Sequence, residues 1–502
     1  MALSGILGGL VPGATPSVSV LILTIAIGSL TSLIVYRAFF DPLRSIPGPL
    51  ICRITSLWTY WHSYIGDDCS KISQLHKRYG PVIRIAPHEI SISDGAALAP
   101  IYSDKGGFMK APCYANFDIE GHSTIFSTRD PGHRAIRSKA VVPVFSMSNL
   151  RSGSDTIEGC VAKMIARMKE EAAESRSASK TSGQPKPVNV LNIARSLAVD
   201  AVSSYLFGQT FGGVSEKTDK MSANGYVDTL VAVGRFFFLP NFVFLALEMT
   251  SQKLWPDKDE DESANKVDSF VGNLVQGSAK DDSTYQGRLL KTGISRHEVE
   301  VQCKDLIFAG TDSTGTNLST ICWQLAKRQE VYAKLQEEIA EADARDPSYN
   351  PQSLPYLDAV IREGLRVSMA NPTRFPRIVP PQGFDFESSN GQRFYLPAGT
   401  QVGMQPYSLH FDPDVFSDPF AFKPERWLND PTPEMQRDAI PFGLGSRQCI
   451  ARNLATMELF LAVRAIAREK VLEGARAVGE KIELMEWFNS KVKGEKIELT
   501  WQ

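Results

Sequence analysis

No charged side chain occurs before Arg37, and within that stretch residues 17–36 (SVSVLILTIAIGSLTSLIVY) carry neither charge nor proline. As a helix they would span about 30 Å, the thickness of a bilayer's hydrocarbon core. A buried core helix is rarely apolar for so long, and a cleaved leader would carry a basic start and a shorter apolar run. Arg37, Arg44 and Arg53 follow the segment and nothing basic precedes it. The cytosolic bias of positive charge then predicts a lumenal tail over 1–16, a transmembrane anchor over 17–40 and a cytosolic domain over 41–502.

The remaining chain reads as globular. Of 502 residues, 43% are hydrophobic and 22% charged, which excludes wholesale disorder. Lys+Arg number 54 and Asp+Glu 56, so the basic excess of a nucleic-acid binder is missing. The seven cysteines are odd in number and include no C-x-x-C pair, which argues against a disulfide scaffold or a zinc site. The sequon at Asn317-Leu318-Ser319 falls inside a helical pattern on the expected cytosolic side and should be unused.

The pattern along the chain is mainly α with a minor β portion. Pro47-Gly48-Pro49 cannot continue a helix and forms a stiff hinge. Residues 79–92 (YGPVIRIAPHEISI) alternate around turn residues and predict a hairpin. Residues 172–187 (AAESRSASKTSGQPKP) predict a polar linker, and 256–263 (PDKDEDES) an acidic surface loop. Residues 235–249 (RFFFLPNFVFLALEM) are unusually aromatic and read either as core or as a loop at a membrane or apolar entrance. A long helix is expected over 297–327 and an amphipathic one over 330–344, with late strands at 393–396 and 481–484.

Three motifs carry chemistry. In Phe442-Gly443-Leu444-Gly445-Ser446-Arg447-Gln448-Cys449, two glycines permit a close-packed loop, and residues 453–467 then read as a helix. A cysteine near a helix N-terminus has its thiolate favoured by free N–H groups and the helix dipole, and a thiolate is a soft ligand for iron. Ala309-Gly310-Thr311-Asp312-Ser313-Thr314 lies midway along the long helix. Ala-Gly clears bulk for a ligand, and an acid with neighbouring hydroxyls can relay protons. Glu363 and Arg366 share a helix face, and Pro424-Glu425-Arg426-Trp427 follows later.

Together, and in this order, these motifs resemble the cytochrome P-450 superfamily, the haem-thiolate monooxygenases, in a style similar to fungal secondary-metabolism members. The resemblance implies the P-450 fold as one catalytic domain, and heme b held by Cys449 as the metal ligand. It implies Arg447 against a haem propionate, within a cofactor-binding loop that opens at Phe442. His133, Arg137 and Arg377 fall at further propionate-binding positions, with histidine where the family often has tryptophan. Ala309 and Gly310 would lie over the haem, and His410 would face it. Asp312 with Ser313 or Thr314 would deliver protons. Ser313 stands where the family most often has threonine, and which hydroxyl acts is left open. Ala451 stands where the family usually has glycine. Glu363, Arg366 and Arg426 would lock together as a structural network.

The resemblance also implies partners. They are dioxygen, a lipophilic small molecule and an NADPH-cytochrome P-450 reductase in the endoplasmic reticulum membrane, with cytochrome b5 as a further donor. His133, Arg134, Arg137 and Lys139 make a basic helix that could dock an acidic partner or simply be solvated. Substrate contacts are expected from 106–126, 236–247, the residues before Ala309, 370–373 and Trp487-Phe488. Two other readings are a haem-thiolate isomerase or dehydratase that does not use dioxygen, and a non-catalytic haem-binding protein. The retained acid and hydroxyls argue against both.

Overall fold

The computed structural model describes residues 18–254, 258–280 and 283–502, so the expected tail over 1–16 lies outside the described residues. Helix α1 (Val18–Val35) runs into a π turn at Tyr36–Phe40, and none of the side chains in either is buried. Val18–Phe40 is long and apolar enough to cross a membrane. Its polar end is tied down at once. Arg37 bonds Asp41 at 2.8 Å, and Asp41 bonds Arg84 of the first strand at 2.6 Å.

The expected hairpin is present as β1 (Val82–Ala86) and β2 (Glu89–Ile92). With β3 (Met109–Lys110), β4 (Arg377–Ile378) and β5 (Gln401–Gly403) it makes a sheet of order β1-β2-β5-β4-β3. Only the β2–β5 pair is parallel. Strand Arg393–Leu396 pairs with Phe384–Glu387. The strand expected at 481–484 begins at its last residue, as Leu484–Met485 against Lys491–Val492.

Helices make up most of the domain. Asp130 accepts from the Gly132 N–H and Pro131 occupies the first turn, which starts α2 (Pro131–Val141). Helix α3 (Ser154–Ser182) absorbs most of the residues expected as linker, leaving only the stretch after Ser182. Small residues keep that part helical by fitting against neighbours: Ala172 and Ser175 are buried, and the Ser175 hydroxyl donates to the Lys186 carbonyl. Helix α4 is Val190–Val202 and α5 is Lys258–Gly277. The described part of the expected acidic loop is therefore the first turn of α5, where Asp259, Glu260 and Asp261 complement the helix dipole.

Helix α6 (Arg296–Lys327) is the axis of the core, capped by the Ser295 hydroxyl on the Glu298 N–H. It lies against α4 so closely that a Cβ on Gly310 would sit 2.8 Å from Val202 Cγ2. Gly310 thus serves helix packing as well as the chamber described below. The amphipathic helix follows at Gln329–Arg345, then α7 (Pro355–Ser368) and α8 (Arg452–Arg468), all packed around the same apolar cluster.

Candidate haem-thiolate site

The loop before α8 is folded back on itself by backbone bonds. Gly443 N–H donates to Ile440 O at 3.0 Å, and Cys449 N–H donates to Phe442 O at 2.9 Å. Gly445 is required by both conformation and space. Its φ is +73°, and a Cβ there would meet the Tyr102 carbonyl at 1.9 Å. The loop therefore presses onto the end of helix Leu98–Tyr102.

Cys449 opens into a chamber that encloses about 1640 Å³ of unfilled space, its mouth included. The facing wall is α6, with Ala309, Gly310, Ser313 and Thr314. Of the seven cysteines, six are buried and Cys449 alone is exposed, toward this chamber. Surrounding protein still shields it from bulk water and pushes its thiol up to about 11, against the Ala451 N–H that favours the thiolate. A metal bound here must displace that proton.

Four cations line the same chamber: Lys110, Arg134, Arg377 and Arg447. Among the described residues none of them pairs with a carboxylate. Arg447 donates only to the Thr128 carbonyl at 3.1 Å, and Arg377 to the Tyr114 hydroxyl at 3.0 Å and the Pro376 carbonyl. Lys110 donates to the Phe126 carbonyl and sits 4.0 Å from the Tyr114 ring centroid. Burial, then Arg134 and Arg377, bring Arg447 down to about 10, and burial with the same neighbours holds Lys110 well below the usual lysine range. Buried cations without counter-charge are costly, so the cluster calls for an anion. A flat apolar macrocycle carrying two carboxylates fits the wall. Apolar Phe442, Ala309, Ile450 and Leu454 could supply its faces, the four cations could meet the carboxylates and Cys449 could take the metal.

The family model for Cytochrome P450 matches residues 49–474. The chain belongs to the cytochrome P450 family. It is similar to the cytochrome P450 monooxygenase mfmF of Annulohypoxylon moriforme, at 38% identity over 93% of this chain and 97% of that one. It is also similar to the cytochrome P450 monooxygenase macH of Penicillium terrestre, at 29% identity over 90% of this chain and 91% of that one. A third relative is the cytochrome P450 monooxygenase tazI of Aspergillus terreus, at 28% identity over 89% of this chain and 90% of that one. This P450 is accordingly a monooxygenase, an oxidoreductase that uses haem.

Two expectations from the sequence change. His133 and Arg137 do not line the chamber. Arg137 donates from Nε to Glu298 at 2.5 Å and from Nη1 to the His133 carbonyl, while His133 Nε2 lies 3.6 Å from Glu298. The two share one helix face, which meets α6, and Arg134 is rotated about 100° from His133 onto the chamber wall. Of the basic residues expected to greet an acidic partner, only Lys139 is exposed. His410 likewise lies away from the chamber. Its Nδ1 meets the Arg366 carbonyl at 3.1 Å and its Nε2 accepts from the Ile440 N–H at 2.9 Å. Burial, helped by Arg366, drives it down to about 3, so it is neutral with the proton on Nδ1. It couples α7 to the start of the cysteine loop.

The structural network is present as expected. Glu363 and Arg366 are both 0% exposed and bonded twice, at 2.8 and 2.9 Å. Glu363 also accepts from Arg426 Nε at 3.0 Å, from Trp427 Nε1 at 3.0 Å and from the Lys423 N–H at 2.9 Å.

On α6 the acid and the hydroxyls part company. Ser313 and Thr314 line the chamber, and the Ser313 hydroxyl donates back to the Ala309 carbonyl at 2.8 Å. Asp312 is 1% exposed and points behind the wall, where it accepts from Arg195 of α4 at 2.6 Å and from Asn489 at 3.3 Å. Arg195 holds Asp228 at 2.9 Å as well. Asn489 lines the chamber and so joins it to Asp312. Arg195 and Asn489 have no local signal in the sequence, and nothing there marks Arg134 or Lys110 as a member of the cation cluster.

Of the expected substrate segments, 106–126 supplies Lys110, Tyr114, Ile125 and Phe126, the residues before Ala309 supply Asp305, Leu306 and Phe308, and 370–373 supplies Asn371. Phe488 lines the chamber but Trp487 does not. The aromatic stretch stays outside it. Phe237 is buried behind the wall against Phe488, while Phe236 and Phe238 line a separate surface groove with Leu57, Trp61 and Tyr64.

Proposed function

We propose that this P450 inserts one oxygen atom of dioxygen into a bulky lipophilic substrate, by hydroxylation, epoxidation or a series of oxidations, within secondary-metabolite biosynthesis. Its electrons come from a separate NADPH-cytochrome P-450 reductase, with cytochrome b5 as a further donor. The domain sits on the cytosolic side of the endoplasmic reticulum membrane, held by α1. The observation that carries the reading is Cys449, the one exposed cysteine, opening into a chamber ringed by four unpaired cations.

Haem, when bound, supplies the activation of dioxygen. The chain does the rest. Cys449 would hold the metal as thiolate, and Arg134, Arg377, Arg447 and Lys110 would meet the propionates. His133 and Arg137 support that wall through Glu298. The Ser313 hydroxyl, its own proton committed to Ala309, keeps lone pairs free toward the chamber to receive a proton-bearing group. Asp312 is the acid behind the wall, joined to the chamber through Asn489 and held by Arg195. The aromatic wall of Phe126, Phe308 and Phe488 excludes water and favours apolar ligands.

The test is reconstitution of the full chain in membranes with reductase, NADPH and isotopically labelled dioxygen against a panel of apolar polyketides, terpenoids and alkaloids. One labelled oxygen per product with matching NADPH consumption is expected. Turnover without label and without NADPH use would overturn the reading. A reduced carbon-monoxide complex lacking the red-shifted thiolate band would overturn the Cys449 assignment.

A further inference from the structure

A second cavity lies beside α8, where that helix meets the start of α3 and the turn that follows helix Gln329–Arg345. It encloses about 960 Å³ of unfilled space, its mouth included, and shares no lining residue with the chamber. Its apolar lining is Met457, Phe460 and Leu461 of α8, whose earlier residues Leu454 and Ala455 line the chamber. The turn at 347–352 forms another wall and is held in shape by its own side chains. The Ser348 N–H and hydroxyl both donate to Asp346, at 2.9 and 2.7 Å, and the Gln352 N–H donates to the Asn350 side-chain oxygen at 3.2 Å.

Three guanidiniums line this cavity, Arg151, Arg464 and Arg468, against the one carboxylate of Glu158. Arg468 is already matched, since it donates to both oxygens of Asp343, one of them at 2.8 Å. Arg464 is not matched. Its side chain is only 12% exposed, its Nε is shut off from water without a partner, and it makes no hydrogen bond among the described residues. Glu158 lies 3.6 Å from it, too far for one. The Arg151 side chain, on the short helix Met147–Ser152, has neither ion pair nor hydrogen bond among the described residues. Tyr349 is a third donor. Its hydroxyl oxygen is shielded from water, and its proton finds no acceptor. The Arg464 guanidinium lies 5.9 Å from the Tyr349 ring centroid. Burial, then Asp343, pushes the Tyr349 phenol up, while Arg468 and Arg464 draw it down, so both guanidiniums converge on it. Shielded donors left without acceptors carry a desolvation cost that a bound acceptor relieves.

We propose that this cavity binds an organic anion with an apolar body: its carboxylate accepts from Arg464, Arg151 and the Tyr349 hydroxyl, and its body lies along Met457, Phe460 and Leu461. A planar carboxylate matches the guanidinium fork and can take two parallel hydrogen bonds from it. With Arg468 neutralised by Asp343, Arg151 and Arg464 against Glu158 leave one positive charge, which suits a monoanion. The ligand would rest on the helix that leads away from Cys449 without entering the chamber. The site is independent of what the chamber oxidises.

The full-chain holoenzyme in nanodiscs, its chamber filled with a haem-ligating azole, is dialysed to equilibrium against radiolabelled phenylbutyrate, phenylbutanamide or phenylbutylammonium. The three share one body and differ in head group, and protein-free nanodiscs give the lipid background. One saturable site is expected for the carboxylate, at least about tenfold tighter than for the amide, with the ammonium weakest. Acetate should displace phenylbutyrate at least about tenfold less effectively than phenylbutyrate itself, because it lacks the apolar body. Arg464→Gln and Arg151→Gln should each weaken the carboxylate about threefold or more and change the amide less than about twofold, with the haem absorption unaltered. Arg151 is exposed, so its variant keeps the test intact if Arg464→Gln folds poorly. Equal affinity for carboxylate and amide, no saturable carboxylate binding once the azole is in place, or parent-like affinity in both variants overturns the proposal. Displacement by acetate as effective as by phenylbutyrate overturns the apolar body and leaves a bare anion site.

Discussion

Arg195 holds Asp312 at 2.6 Å while its other amine holds Asp228 at 2.9 Å, so one buried guanidinium compensates two buried acids from different helices. The arrangement fixes Asp312 behind the chamber wall and makes Asn489 its link forward. Asp312→Asn keeps the Arg195–Asp228 pair and the volume. We expect haem content to be retained and product formation to fall roughly a hundredfold. Arg195→Met instead strands two carboxylates and should lower stability by several kcal/mol, read as a fall in melting temperature.

The two hydroxyls on α6 should behave differently. Ser313 is half-buried and oriented by the Ala309 carbonyl, whereas Thr314 is only 3% exposed. Ser313→Ala should raise peroxide released per NADPH consumed by about tenfold or more, and Thr314→Ala should change it little. Assay of peroxide against product decides between them.

Haem retention should separate Arg134 from Arg137. Arg134 lines the chamber without a carboxylate partner, and Arg137 is committed to Glu298. Arg134→Ala should speed haem loss to apomyoglobin severalfold. Arg137→Ala should lower the melting temperature while leaving retention closer to the parent, because it removes the partner of a mostly buried glutamate.

His410 gives a pH prediction with a definite sign. Its folded value is depressed, from 6.5 to about 3, so the unfolded chain takes up the proton first as pH falls. Its stabilising contribution is complete above about 6.5, is lost progressively below that and is gone near 3. The parent should therefore exceed His410→Gln in thermal stability most at neutral pH, with the gap closing toward pH about 4. A gap that widens on acidification would contradict the neutral, doubly bonded ring.

What could be read in the sequence was what is local. The Phe442 to Cys449 loop, the hairpin and the long helix each depend on neighbours within one turn or one strand pair. Partners across the fold left no trace. Arg195 reaches Asp312 from 117 positions away and Asn489 from 177. Helix rotation was equally invisible. The i, i+4 spacing of His133 and Arg137 puts them on one face, but spacing cannot say whether that face or Arg134's meets the chamber. Residues 172–182 looked like linker by composition, and tertiary packing of small side chains made them helix. The sequence points His410 toward the haem, whereas the structure makes it a strut between Arg366 and Ile440, since a buried imidazole looks alike in sequence whichever neighbour it serves.

The chamber wall runs from Tyr102 to Asn489. A ribosome adding about 5 to 20 residues per second delivers α1 long before Asn489. The apolar helix is therefore made well before the chain can grip its prosthetic group, and Cys449 emerges ahead of the last segment that closes the wall around it. Cofactor capture becomes a late event in biogenesis, and any truncation short of Asn489 should yield a chain that stays colourless.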